Sequence, residues 1–249
     1  RVIWTHCVSV GEFNASKPLI EKLMIQYPNH QIVISTTTIT GFNAVNNYYK
    51  NNVKHCYFPF DIPSILDSFI RKINPEICIL LETEIWPNLI HTLKKKNIPT
   101  ALINARLSEK SFQRYDKYSA KLVKASLNNL SLICSQSSFS SDRFISLGAN
   151  QEKIITTGSL KFDSDNTIDD KSIKTLKKII GERKITVVAS TREGEEKQIF
   201  ESYINSADNI DSLLIIIPRH PERFNEVFKL AKASGLQVER RSTALQCSD

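Results

Sequence analysis

Several things are scarce or missing in this chain, and each absence narrows what it can be. No apolar run approaches the roughly 18 residues of a membrane-spanning helix, and no signal peptide is present. The five cysteines, Cys7, Cys56, Cys78, Cys134 and Cys247, are odd in number, widely spaced and without a CxxC pair. That suggests neither a disulfide framework nor a zinc site, fits a reducing cytoplasm, and leaves most of the thiols as small buried hydrophobes in strand-like runs. With only seven glycines the chain has neither GxGxxG nor GxxxxGK[ST], so a dinucleotide fingerprint and a P-loop are both excluded. There is no internal repeat and no low-complexity tract. Aromatic residues do not interleave with the basic runs such as Lys94-Lys-Lys96, as a single-strand binding platform would require, so nucleic acid is not expected as a partner.

What is present is an ordinary globular composition: 249 residues, 41% hydrophobic and 24% charged, enough for one large domain or two small ones. A formal charge of +7 implies attraction to something anionic, which could be an acidic membrane surface or a phosphorylated substrate. The chain opens at Arg1, directly inside a strand-like run and without a methionine, so an upstream segment is expected.

Short β-rich runs alternate with amphipathic stretches, the pattern of parallel βαβ units. Strands are predicted at 2–10, 31–37, 53–59, 77–82, 100–104, 132–135 and 154–158, with helices at 14–26, 41–50, 63–73, 86–96, 112–130 and 138–147. Together they make a seven-strand doubly wound layer. The polar, acidic stretch 163–170 reads as a linker, giving domains 1–163 and 164–249. Beyond it come a helix at 172–180, a strand at 185–190, a helix at 193–206, a strand at 212–217, a helix at 221–234 and a strand at 236–240. Three strands are about half of a doubly wound domain, so the second domain is expected to be incomplete in this chain.

Five stretches could carry chemistry. In Val8-Ser-Val-Gly-Glu-Phe-Asn-Ala15 a strand ends and a helix starts, with Gly11 supplying a tight turn and room for a ligand. Glu12 there either projects into the crevice at the carboxyl end of the sheet or merely complements the helix dipole. In Leu80-Leu-Glu-Thr-Glu-Ile-Trp-Pro-Asn88 a buried strand runs into two acids; if the strand continues, Glu82 and Glu84 share a face, and otherwise they form a salt-bridged strand end with Asn88 capping the next helix. Thr157-Gly-Ser-Leu-Lys-Phe-Asp163 places Lys161 just past the last strand of the first layer, where an ammonium suits a phosphate or carboxylate, or is simply solvated. In Ile215-Ile-Ile-Pro-Arg-His-Pro-Glu-Arg-Phe224 the strand ends in Pro218, Arg219 and His220, and Pro221 opens a helix: an anion site or a capped helix with exposed basic residues. In Ala189-Ser-Thr-Arg-Glu-Gly-Glu-Glu196 the hydroxyls of Ser190 and Thr191 can bind a phosphate or cap a helix.

Taken in order, His6-Cys-Val-Ser-Val-Gly-Glu12, Leu81-Glu-Thr-Glu-Ile-Trp-Pro-Asn88, Ile103-Asn-Ala-Arg-Leu-Ser108, Gly158-Ser-Leu-Lys-Phe-Asp163, Ser190-Thr-Arg-Glu-Gly-Glu-Glu196 and Pro218-Arg-His-Pro-Glu-Arg-Phe224 closely resemble the 3-deoxy-D-manno-octulosonic acid (Kdo) transferases of Gram-negative bacteria, essentially end to end. The resemblance implies an α/β fold of GT-B type, two Rossmann-like domains facing across a cleft. The first would bind a lipid A precursor and the second CMP-Kdo, in lipopolysaccharide synthesis. It places the family's general base on Glu12, a second catalytic carboxylate on Glu82, and a transition-state lysine on Lys161. Pro218 and Arg219 match part of the CMP site, with His220 and Ser190 as neighbouring candidates.

Inverting transfer needs a base for the acceptor hydroxyl and positive charge for the leaving phosphate, and a CMP-sugar carries a single phosphate that cationic side chains can serve without a metal. No cofactor is therefore expected. The anionic membrane accounts for the net charge, at the cytoplasmic face of the inner membrane, with the protein peripheral or anchored by an amino-terminal segment. Competing readings are a non-catalytic remnant that binds lipid A, and an epimerase acting on UDP-sugars.

Overall fold

The structure, a computed structural model, describes residues 1–163, 170–206 and 212–242. The chain forms two compact units, Arg1–Asp165 and Asn166–Asp249.

In the first unit, β1 (Val2–His6), α1 (Val10–Gln26), β2 (Gln31–Thr36), α2 (Ile39–Tyr49), β3 (Lys54–Tyr57), α3 (Pro63–Ile73), β4 (Ile77–Leu81), α4 (Pro87–Lys95), β5 (Thr100–Ala105), α5 (Glu109–Asn129), β6 (Leu132–Ser135), α6 (Ser138–Ser146) and β7 (Ile154–Thr156) alternate strictly. All seven strands are parallel, in the order β3-β2-β1-β4-β5-β6-β7. The doubly wound layer predicted from the alternation is thus what forms. Central strands of such a sheet are buried on both faces, and successive side chains serve opposite cores. Trp4, Cys78 and Leu80 pack with Leu66, Leu89 and Phe144 on one face. Ile3, Ile79 and Leu81 pack with Phe13, Ile20 and Val45 on the other.

Strand ends differ from the sequence expectation where helix caps claim them. The strand predicted to reach Val10 stops at His6, because Ser9 is the N-cap of α1 and its hydroxyl accepts from the Glu12 N–H at 3.3 Å. Thr38, Ser108 and Ser137 cap α2, α5 and α6 in the same way. The α4 helix has no such device: its N-cap is Trp86, followed by Pro87. Asp61, in the loop after β3, supplies the missing acceptors, taking the Leu89 and Asn88 N–H groups at 2.8 and 3.2 Å, while Asn88 donates its side-chain amide to the Asp61 carbonyl. Asn88 therefore does not cap the helix itself.

In the second unit the described elements are α7 (Asp170–Ile180), β8 (Lys184–Thr191), α8 (Glu195–Asn205), β9 (Ser212–Pro218), a 3-10 turn (Pro221–Arg223) and α9 (Phe224–Ala233). β8 and β9 are parallel neighbours. Phe200, Val227 and Ala231 form the local core. The strand predicted at 236–240 does not form. The Leu236 N–H is used by the end of α9, bonding the Ala231 carbonyl at 3.3 Å after Gly235 turns left-handed (φ 83°). Leu236 and Val238 pack onto the core without a ladder. The predicted helix at 221–234 is a 3-10 turn followed by α9. Most of the linker reading, at 164–169, and the tail from 243 onward, Cys247 included, lie outside the described residues.

Because Asp61 alone among the described residues supplies side-chain acceptors at the amino end of α4, Asp61→Ala is expected to cost about 1–2 kcal/mol. A urea titration of the first unit's transition checks this; an unchanged midpoint would show that the cap contributes nothing.

Candidate active site

Parallel pairing puts the carboxyl ends of β1, β4, β5, β6 and β7 on one edge, and the strand order reverses between β1 and β4. Ligands of open α/β sheets bind outside that edge at such a switch point. The turn after β1 carries Glu12 and the turn after β4 carries Glu82 and Glu84, so the fold brings together the two acidic stretches singled out in the sequence.

Glu12 lies in the first turn of α1 and is 8% exposed. Its carboxylate accepts the Val8 N–H at 2.7 Å and the Ser9 hydroxyl at 3.4 Å. With Ser9 accepting from the Glu12 N–H, this is a reciprocal capping arrangement displaced by one residue. Gly11 does not make the expected tight turn: it is helical and exposed, and a Cβ there would meet only the Ser9 hydroxyl, at 3.6 Å. The backbone beside Glu12 is nonetheless open, as expected of a place where a ligand can approach.

Burial raises the Glu12 pKa from 4.5 to about 7; the negative charges of Glu84 and Glu82 add to that, while the Val8 and Ser9 hydrogen bonds oppose it. Glu84 is also raised, first by burial and then by Glu82, with the Trp86 indole opposing. These two acids do not share a strand face, since β4 stops at Leu81 and Glu82 is left-handed (φ 56°) with its N–H on the Ile103 carbonyl at 3.0 Å. Electrostatic coupling in a turn, rather than the strand repeat, relates them. No ion pair to Glu12, Glu82 or Glu84 occurs among the described residues.

Lys161 sits in a short 3-10 helix (Leu160–Asp163) that packs against α1, so its segment belongs to the same edge of the same unit. Leu160 packs against the core, and its N–H bonds the Asn104 side chain at 3.1 Å. Asn104, 1% exposed and left-handed (φ 51°), is a positioning residue to which the sequence assigned no role beyond membership of the run Ile103-Asn-Ala-Arg-Leu-Ser108. His6 was quoted above only as part of a motif. Trp4 donates to the Ser35 hydroxyl at 2.8 Å, and that hydroxyl lies 2.9 Å from His6 Nδ1. Burial lowers the His6 pKa to about 4, despite the Ser35 carbonyl, and the neutral ring stacks on Phe58.

In the second unit, the Arg219 N–H bonds the Thr191 carbonyl at 3.0 Å, which brings Ser190 and Thr191 beside Pro218, Arg219 and His220. Ser190, Arg219 and His220 are exposed, and Ser190 is left-handed (φ 64°) at a bulge in β8. Neither Ser190 nor Thr191 caps α8, whose N-cap is Gly194. The sequence also concealed an ion pair: Arg223 meets the fully buried Glu196 at 2.8 and 3.0 Å through two nitrogens. Burial pushes the Glu196 carboxyl up, but the Arg223 guanidinium, the Thr191 hydroxyl and a backbone N–H together outweigh it and hold the group below its usual range.

Cys7, Cys56, Cys78 and Cys134 are free, and burial raises all four thiols, so none is a ready nucleophile. Among the described residues no three His, Cys, Asp or Glu side chains cluster as metal ligands, and no helix is long and apolar enough to cross a membrane.

A two-unit α/β chain with carboxylates at the switch point of its first sheet has the make-up of the GT-B class, and solved structures agree at the level of fold. UDP-GlcNAc 2-epimerase from Neisseria meningitidis matches 94% of this chain and 70% of its own, with a TM-score of 0.64 at 13% identity. A glycosyltransferase from Rickettsia africae matches 95% and 66%, at 0.59 and 15%. Residues 1–164 match the family of 3-deoxy-D-manno-octulosonic-acid transferases (kdotransferases), and the chain belongs to that family. The 3-deoxy-D-manno-octulosonic acid transferase of Haemophilus influenzae is 41% identical over 97% of this chain and 57% of its own length. A bifunctional glycosyltransferase/methyltransferase of Fusobacterium nucleatum is 37% identical over 96% of this chain and 38% of its own. The chain thus spans about half the length, or less, of these relatives.

A carboxyl whose pKa is about 7 in the fold and 4.5 in the unfolded chain keeps, between those values, a proton that the unfolded chain has released. Stability falls as pH rises through that window and is level above it. Glu12→Gln removes the effect, so its stability gain over wild type is expected to grow from about none at pH 4 to a maximum above pH 7. Urea unfolding at pH 4, 6 and 8 measures this, and a gain independent of pH would place the Glu12 titration elsewhere.

Proposed function

We propose that the chain takes part in inverting transfer of Kdo from CMP-Kdo to a lipid A precursor, with Glu12 as general base. The observation that carries this reading is a buried, unpaired carboxylate with a pKa near neutrality at the sheet's switch point, in a member of the Kdo transferase family. A base works best with its pKa near the working pH.

In this scheme the acceptor hydroxyl oxygen attacks the anomeric carbon of Kdo, and its proton passes to Glu12. The bond from that carbon to the phosphate oxygen breaks on the opposite face, and its electron pair leaves with CMP. Glu82 and Glu84 hold negative charge beside the oxocarbenium-like centre and keep Glu12 basic. Lys161 offsets charge as the phosphate departs, and Arg219 with His220, Ser190 and Pro218 forms part of the nucleotide site. The reaction needs no metal or cofactor. Work on a lipid substrate places the protein at the cytoplasmic face of the inner membrane, where its +7 charge favours an anionic surface.

The test is incubation of CMP-Kdo and a lipid A precursor with the 249-residue chain and with a form extended toward the length of its relatives. Transfer is expected from the extended form, and Glu12→Gln is expected to lower it by about 10²–10⁴-fold with folding intact. Normal turnover by that variant would remove Glu12 from the mechanism. Adding a chelator is expected to leave the rate unchanged, and loss of activity would show that a metal takes part.

A further inference from the structure

The run Ile103-Asn-Ala-Arg-Leu-Ser108 has no part in the scheme above, yet the fold treats its members very differently. Asn104, Ala105 and Leu107 are buried, and Arg106 between them is exposed. The Arg106 carbonyl accepts the Thr83 hydroxyl at 2.7 Å, which ties its position to the acid-bearing turn after β4. Arg106 lines a cavity of about 660 Å³ within the first unit, together with Ser137, Ser159, Phe139 and Phe162.

The charges around that cavity do not cancel. Its second arginine, Arg143, is engaged through Nε and Nη2 with the Glu109 carboxylate at 3.1 and 3.0 Å, and through Nη1 with the Leu107 carbonyl at 2.8 Å. That pair neutralises itself. Among the described residues Arg106 makes no ion pair, so its guanidinium is left as the net charge of the cavity. Ser108 and Ser137, the caps of α5 and α6, also line the cavity, so two helix amino ends add their dipoles to the same side. Opposite in character, Phe139 and Phe162, 72% and 89% exposed, give the same lining its apolar rings.

The Ser108 and Ser137 hydroxyls already donate to Ser111 and Ser140, so the guanidinium of Arg106 and the Ser159 hydroxyl are the donors that suit a phosphate, and the phenyl rings of the same lining suit an apolar chain. The ligand that presents both is a phosphorylated amphiphile. We propose that this cavity is the subsite for a phosphate group of a phosphorylated glycolipid acceptor, with Arg106 as the cation that holds it and Phe139 and Phe162 against the apolar part. The identity of that ligand as the acceptor rests on the function proposed above. The cavity's own preference for phosphate does not.

Binding of a bisphosphorylated, acylated glucosamine disaccharide in detergent micelles is compared with binding of its phosphatase-treated form, for the 249-residue chain and for Arg106→Gln. The wild type is expected to bind the phosphorylated form about tenfold more tightly, the worth of one charge-assisted contact. The variant is expected to lose that preference, and Arg106→Lys to recover part of it. Free CMP is the other source of a phosphate, and it is expected not to displace the lipid. Phosphate preference retained in Arg106→Gln, none in the wild type, or displacement by CMP only when Arg106 is present, would each overturn the proposal. If the preference is found and depends on Arg106 while the extended chain transfers no Kdo, the subsite stands and the reading of its ligand as a transfer acceptor falls.

Discussion

The first unit depends on what happens where β1 ends. Three residues after the strand, Ser9 must start a helix, and the carboxylate of Glu12 folds back to take the Val8 N–H at 2.7 Å. One side chain thereby satisfies a backbone donor that burial would otherwise leave costly, and it becomes desolvated in doing so. Structure and acidity share a cause. The shielding that raises Glu12 toward neutrality is its burial at the start of α1, and the charges that raise it further come from the turn after β4, the neighbour that parallel pairing places beside β1.

The second unit solves a related problem with a different device. β8 and β9 end close together through the Arg219 N–H bond to Thr191, and the exposed Ser190, Arg219 and His220 are gathered there beside the half-buried Pro218. Behind them the Arg223 guanidinium meets a carboxylate with no exposure at all. A buried pair is weak evidence of stability, because desolvation offsets its attraction. It is strong evidence of fixed geometry, since only one alignment of the amino ends of α8 and α9 satisfies both of its hydrogen bonds.

Much of this was legible in the residues. The alternation of apolar strands with amphipathic helices specified a parallel doubly wound sheet, because strands buried on both faces read as nearly continuous apolar runs. The two acidic stretches and Lys161 were identifiable as strand-end features, and the sheet does bring their segments to one edge. Less visible was anything depending on partners distant in sequence. Asp61 caps a helix that starts 26 positions later, and Asn104 holds the backbone of Leu160, 56 positions away. Glu196 and Arg223 lie 27 positions apart, and nothing local to either signals that they pair. The expected strand at 236–240 fails for the same kind of reason: its alternating Leu236 and Val238 fit a strand, but a helix end had already taken the first backbone donor. Of the two readings of Glu82 and Glu84, the shared strand face is ruled out because a left-handed residue interrupts the repeat.

Asp61 carries a consequence of its own. The helix it serves begins directly after Trp86 and the turn that bears Glu82 and Glu84, and that helix provides no N-cap acceptor from its own residues. Its first backbone amides rest on a carboxylate lent by the outermost strand's loop, flanked by Phe60 and Ile62, which are 79% and 48% exposed. The rim of the sheet and its centre are therefore mechanically joined by a few hydrogen bonds. Without the Asp61 carboxylate, the Asn88 and Leu89 N–H groups lose their acceptor in the helix that starts next to the acid-bearing turn.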